Sequence, residues 1–319
     1  MHIINIIVKL SIILFIVFTL TVKTFSQEQI DDIEVIGISP LPGIEIDKNK
    51  VPNASQRLKE TDIDNSTATT IVDILGEKLT GVTIKDVQNS PFQKNLDYRG
   101  FTAAPLLGES QGLAVYLNGT RINEGFGDTL QWELVPEAAL TNIDLMSANP
   151  VFGLNALGGS LALTTKKGLD YLNTDSSIEN HFEIGGADWV NGNIELGVGT
   201  ENQGLYVAME NSYDGGWRDN SAGDVKRLFL NYGLMGDNFD YDFTFTHADS
   251  SLNGNGVSPT ELLKVRRESV FTWPDFTSNK AYLAASSANF YLEDDSAINT
   301  SIYYRRLIRD TMNADELDA

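Results

Sequence analysis

A chain of 319 residues, 42% of them hydrophobic, is long enough for more than one domain. It contains no cysteine and three histidines, His2, His181 and His247, which excludes a disulfide framework, a thiolate metal site and a histidine cluster. A net charge of −21 argues against a nucleic-acid partner, whose phosphates need stripes of Lys and Arg.

The first 26 residues have the form of a secretory signal peptide. Lys9 precedes an apolar run from residue 10 to residue 20, and Thr24 and Ser26 lead to a cleavage point after Ser26. The run is too short for a membrane-spanning helix, which needs about 20 apolar residues. Residues 27–50 form a polar, mobile arm with two prolines. Inside it, Ile33, Glu34, Val35, Ile36, Gly37 and Ile38 make an extended apolar-rich run, suited to adding a strand to the edge of a partner's sheet.

Residues 51–168 carry α+β signals. Apolar residues at Ile71, Ile74, Leu75 and Leu79 have helical spacing over 67–79, with Thr67 as the cap, and Gly81 ends the run. Strands are expected at 82–84, at 113–117 before the Asn118-Gly119 turn, at 143–146 and at 160–165, with a short helix over 136–140. "YRGF" at 98–101 is a sharp Arg-Gly turn between short strands. "VFGLNALGGSLALTTKK" at 151–167 is a glycine-rich turn running into a strand and a basic stop. Its glycines precede a strand and not a helix, so a phosphate loop fails its context test.

From about Ile178 onward the chain alternates apolar and polar residues in about seven strands, near 178–185, 189–199, 204–213, 225–235, 239–250, 280–292 and 297–309. The fifth is the cleanest, with Phe239, Tyr241, Phe243 and Phe245 opposite Asp240, Asp242, Thr244 and Thr246. The strands are nearer ten residues than five, tight turns alternate with long loops, and tyrosines fall toward strand ends. Those are the marks of an antiparallel transmembrane β-barrel.

Taken together, "YRGF", "ILGEKLTGVTI" at 74–84, the Gly-rich turn and the strands downstream resemble the TonB-dependent outer-membrane receptors. Two motifs depart from the family pattern: an acidic residue before glycine is replaced by Asn118 in "YLNG", and "VEVLKGP" by "IDLMSANP" at 143–150. The resemblance implies a signal peptide at 1–26, an arm with a TonB box at 27–50, a plug domain at 51–168 and the N-terminal part of a transmembrane β-barrel at 169–319. Plugged transporters have about 22 strands, so seven leave the barrel incomplete, as in part of a longer receptor or a truncated gene product.

No catalytic constellation is visible, and neither an enzyme activity, a cofactor nor a bound metal is expected. The implied function is energy-coupled uptake of a scarce solute, with a ferric siderophore or chelate favoured over cobalamin or an oligosaccharide. The partners would be the TonB complex, contacted through Ile33 to Ile38, the small-molecule ligand and outer-membrane lipid, in a Gram-negative bacterium. A passive porin-like or adhesin barrel and a secreted β-sandwich binding module are the competing readings. By topology the outward plug apices are 88–94, 102–112 and 123–132. Ser110, Gln111, Glu124, Phe126, Asp128 and Trp132 are the candidate ligand contacts, since aromatic and polar groups on glycine-rich loops suit a ligand surface. Arg99 is the candidate for ion pairing between plug and barrel, with Glu183, Glu195 and Glu210 as carboxylates facing the lumen.

Overall fold

The computed structural model describes residues 55–148, 152–293 and 296–314, together with the backbone of two short strands. Those strands, β1 (Val35–Gly37) and β2 (Glu45–Asp47), pair antiparallel and form a ribbon within the arm. The leader, Ile33, Glu34 and Ile38 lie outside the described residues.

The plug starts with β3 (Ser55–Lys59), α1 (Glu60–Asp64) and α2 (Ile71–Lys78). The helical spacing places Ile71, Val72, Ile74 and Leu75 of α2 in the core. The helix is shorter than expected. Its N-cap is Thr70, whose hydroxyl donates to Asp73 Oδ2 at 2.9 Å, and residues 67–69 stay outside the helix. Next come β4 (Val82–Lys85), β5 (Asn95–Tyr98) and β6 (Phe101–Ala103), which form a three-stranded sheet. Between β5 and β6 the Arg99-Gly100 turn has both residues at positive φ, 54° and 85°.

β7 (Leu113–Leu117) and β8 (Thr120–Arg121) are joined by Asn118-Gly119, at φ 46° and 81°, the left-handed pair a two-residue hairpin requires. Asn118 also accepts from Thr165 N at 3.1 Å and donates to Thr165 Oγ1 at 2.8 Å. It thereby ties the hairpin to the last plug strand, a role an aspartate could fill only through its acceptors. β9 (Leu140–Ser147) and β10 (Gly159–Thr165) complete a five-stranded sheet of order β3-β9-β10-β7-β8, in which only the β10–β7 pair is parallel. Leu75, Leu96, Leu113, Val115, Ile143 and Leu161 fill one continuous core between this sheet and α2. Each such side chain contributes about 1.5–3 kcal/mol by leaving water.

A seven-stranded sheet follows: β11 (Ser177–Ile184), β12 (Val190–Gly199), β13 (Gln203–Asp214), β14 (Gly223–Met235), β15 (Phe239–Asn253), β16 (Phe276–Tyr291) and β17 (Ala297–Met312). Every neighbour is antiparallel and the order follows the sequence without a crossover. All seven expected strands are present, and β16 begins four residues earlier than the alternation suggested. A short helix, α3 (Thr260–Val265), sits inside the long loop between β15 and β16 and was not anticipated. Among the described residues no helix is long and apolar enough to cross a membrane, which says nothing of strands.

Alternation assigns the two faces. Ile194, Leu196 and Met209 are exposed on the outer face, while Tyr206, Ala208, Glu210, Arg227, Phe229 and Asn231 are buried on the inner face. The polar face is therefore the one that is covered, the reverse of a soluble sheet. The plug covers it. Its exit segment, residues 168–171, lies on a floor of glycines: a Cβ on Gly168 would meet the Gly204 carbonyl, and one on Gly197 the Tyr171 ring. Glycine inside a strand marks such a close backbone approach. Gly168 N donates to Asn231 Oδ1 at 2.7 Å, and Tyr171 stacks on Tyr206 with ring centres 5.5 Å apart.

Candidate functional site

One end of the sheet carries the long connections, residues 215–222 between β13 and β14 and 254–275 between β15 and β16. The first plug apex reaches that end. Phe92 packs with Trp189, Val225 and Leu252. The two long loops are one unit held by Arg218, which is buried and, among the described residues, makes no salt bridge. It donates to Asn255 O and Gly256 O, both at 2.9 Å, to Ser269 O at 2.8 Å and to the Ser258 hydroxyl.

Below the loops, plug and sheet are joined by buried charge. Arg227 of β14 donates to Glu133 O at 2.7 Å, to Glu137 Oε1 at 3.1 Å and to Glu210 Oε2 of β13 at 3.0 Å. Asn279 of β16 donates to Glu133 Oε1 at 2.7 Å and accepts from Arg309 Nε at 3.0 Å. Burial raises the Glu133 carboxyl above its ordinary range, and burial pushes Glu137 up to about 7 although Arg227 pulls it down. Nearer the exit, Lys166 bonds Glu195 at 2.6 Å and Glu60 at 3.1 Å, and Tyr206 donates to the same Glu195 at 2.7 Å. Burial pulls the Lys166 ammonium down, but its carboxylate partners outweigh this and hold it above its usual value.

The expected ion-pairing residue is therefore not the one in place. Arg99 sits on an exposed turn with its guanidinium 4.9 Å from the Tyr98 ring centre. Among the described residues it has no carboxylate partner. Lys166, Arg227 and Arg305 make the plug–sheet pairs. Of the three lumen carboxylates, Glu195 and Glu210 take part, and Glu183 borders a cavity of about 290 Å³ beside them.

The six candidate ligand contacts separate. Trp132 is 1% exposed, lies in the plug core and donates through Nε1 to Ala103 O at 3.2 Å, so it is a packing residue and not a ligand surface. It begins a 3-10 turn that points its side chain inward. Glu124 pairs with Arg305 of β17 and Asp128 with Arg121 at 2.5 Å and with Asn155, so both carboxylates are used within the protein. Gln111 bridges Ala104 and Leu106 through its carboxamide and shapes its own loop. Ser110 is exposed, and Phe126 is 80% exposed.

Sequence reasoning missed a pair of carboxamides. Gln88 and Gln93 of the first apex border a cavity of about 400 Å³ with Pro105 and Leu106 of the second apex, Thr272 of the long loop and Arg309 of β17. The sequence gives one signal for it, the two glutamines on an expected apex.

The described residues thus make a plug seated on the covered polar face of a long-stranded, seven-stranded antiparallel sheet. Residues 47–160 match the TonB-dependent Receptor Plug Domain. No curated protein matches the chain. Among solved structures, the unliganded ferric citrate transporter FecA is 17% identical, with a TM-score of 0.67 over 82% of this chain and 41% of its own. The ferric yersiniabactin uptake receptor FyuA from Yersinia pestis is 13% identical, with a TM-score of 0.65 over 82% of this chain and 42% of its own. The copper transporter OprC is 11% identical, with a TM-score of 0.58 over 75% of this chain and 34% of its own. At these identities the likeness is one of fold. The chain spans about two-fifths of the length of the first two.

Proposed function

We propose that this chain forms the plug and first strands of a receptor for energy-coupled uptake of a scarce solute across the outer membrane of a Gram-negative bacterium. The observation that carries the reading is the plug, docked through the buried Arg227 cluster onto the inner face of a sheet whose other face is apolar and exposed. A ferric siderophore or chelate is the favoured ligand, in keeping with neighbours named for ferric citrate and ferric yersiniabactin. The neighbour named for copper keeps the class of cargo broader than one chelator. An open porin or adhesin would have no use for a domain filling the inner face.

Coupling is assigned to the arm, with the run from Ile33 to Ile38 as the segment that TonB engages. An extended strand offers its backbone donors and acceptors to a partner's sheet edge. Val35→Pro removes one donor and fixes φ. In the full-length receptor it should abolish energised uptake of a radiolabelled ferric chelate while leaving binding of that chelate intact. Uptake at the normal rate by the Val35→Pro receptor would overturn the assignment.

A further inference from the structure

The outer face of the seven-stranded sheet, the one turned away from the plug, has a charge pattern of its own. Among the described residues, register places every charged side chain of that face on the half of β14–β17 nearest the long loops: Asp224, Lys226, Asp249, Lys280, Arg306 and Asp310. β11, β12 and β13 present none there. A charge facing lipid costs most at the middle of a bilayer and little at its surfaces, so the pattern marks a level. Phe290 pairs with Phe239 at the opposite end, ring centres 6.4 Å apart. From Phe290 to Lys280 the strand climbs about 26 Å, at about 3.4 Å per residue and a tilt of about 40°, which matches an apolar band about 25 Å tall. Lys280 therefore stands at the headgroup level of the loop end.

The charges at that level are unevenly matched. Lys226 has Asp224 at 3.8 Å and Lys280 has Asp249 at 3.3 Å, exposed pairs of the kind that salt readily screens. Arg306 is exposed and, among the described residues, makes no ion pair. Asp310, the other charge on its face of β17, is separated from it by Ile308. Tyr282 is the register partner of both Arg306 and His247, and it stacks on the His247 ring with centres 4.6 Å apart. Lys280 is the next residue of β16 on the same face. Lys280 and Arg306 are thus diagonal neighbours across the strand pair, about 7–8 Å apart at the backbone, within reach of one shared anion.

Resting on the uptake reading above, which puts this sheet in an outer membrane, we propose that Lys280 and Arg306, either side of Tyr282, bind the phosphate of a phosphorylated glycolipid in the outer leaflet. Arg306 holds two phosphate oxygens as a planar fork, and Lys280 adds a point charge. The His247–Tyr282 pair sits where headgroup meets acyl chain, the level at which amphipathic rings are stable. The site is on the far side of the sheet from the plug, so it is independent of the solute carried.

The test uses the full-length receptor, stripped of lipid in a neutral detergent and titrated with bisphosphoryl lipid A or its dephosphorylated form, with bound lipid read by native mass spectrometry. The phosphorylated lipid should bind more tightly. Arg306→Gln and Lys280→Gln should each weaken it about fivefold, the usual scale for a basic side chain at an anionic membrane surface, and Arg306→Lys should recover part of the loss. Asp249→Asn, which frees Lys280 from its carboxylate, should tighten binding. These positions are exposed on the sheet, and unchanged heat-modifiable gel mobility reports that each variant is folded. Equal binding of the two lipids would overturn the proposal, as would unchanged affinity in the Arg306→Gln, Lys280→Gln double variant. Displacement of the lipid by millimolar inorganic phosphate would assign the site to free phosphate and overturn the lipid assignment. Each of these results leaves the uptake reading standing, because that reading is judged by the Val35→Pro experiment.

Discussion

Arg227 joins plug to sheet through three acceptors, and Arg227→Met is the perturbation that isolates it. The side chain is buried and serves three acceptors at 2.7–3.1 Å, one of them a plug backbone carbonyl and one a plug carboxylate. Methionine keeps the volume and removes every donor. It leaves Glu137 and Glu210 buried without their cation, and breaking a buried pair from one side costs about 3–5 kcal/mol. With a urea slope of about 1–3 kcal/mol per molar for a domain of this size, the plug's unfolding midpoint should fall by about 2 M. The assay is a urea titration of the receptor in detergent, read by hydrogen exchange of plug peptides. Adding Glu137→Gln and Glu210→Gln to Arg227→Met should restore most of the loss, because a neutral buried cluster carries little penalty. A midpoint shift below about 0.3 M in the single variant would refute the reasoning and relegate the cluster to passive filling.

Gly168→Ala should lower the receptor's melting temperature and expose the exit segment to protease, since its Cβ meets the Gly204 carbonyl and Gly233 N, and backbone cannot step aside. Phe126→Ala should weaken ligand binding by about 1–3 kcal/mol with unchanged melting, if this exposed ring touches ligand. Trp132→Ala should do the reverse, costing about 3–5 kcal/mol of plug stability, and equal effects of the two variants on melting would contradict the core assignment of Trp132. Glu137 makes a pH test. Burial holds its carboxyl near 7 in the folded protein against 4.5 unfolded, so the folded state keeps a proton that the unfolded chain releases across that window. Plug stability should therefore rise as pH falls from above 7 to 4.5, and Glu137→Gln should flatten that slope in a pH series of thermal melts.

Much of this protein was legible in its sequence because its strongest signals are local. A strand's two faces are written in a period of two, so Phe239 to Phe245 and their polar alternates named both the strand and its inner side. Asn118-Gly119 and Arg99-Gly100 marked their turns because few residues tolerate positive φ. The plug–sheet chemistry was not legible, since its partners are joined by no local period. Arg227 and Glu133 are 94 residues apart, and Arg305 and Glu124 are 181 apart. The sequence marks Arg99 and Arg227 alike as arginines near strands. Only the tertiary structure sends one to solvent above a tyrosine and the other into a buried cluster of carboxylates. The same holds for Trp132, an apparent ligand anchor on a glycine-rich loop until the 3-10 turn directs it into the core. Short-range sterics and alternation are properties of neighbouring residues, and the sequence contains them. Which charge meets which depends on how two separately folded surfaces come together, and that is decided only when the chain has closed on itself.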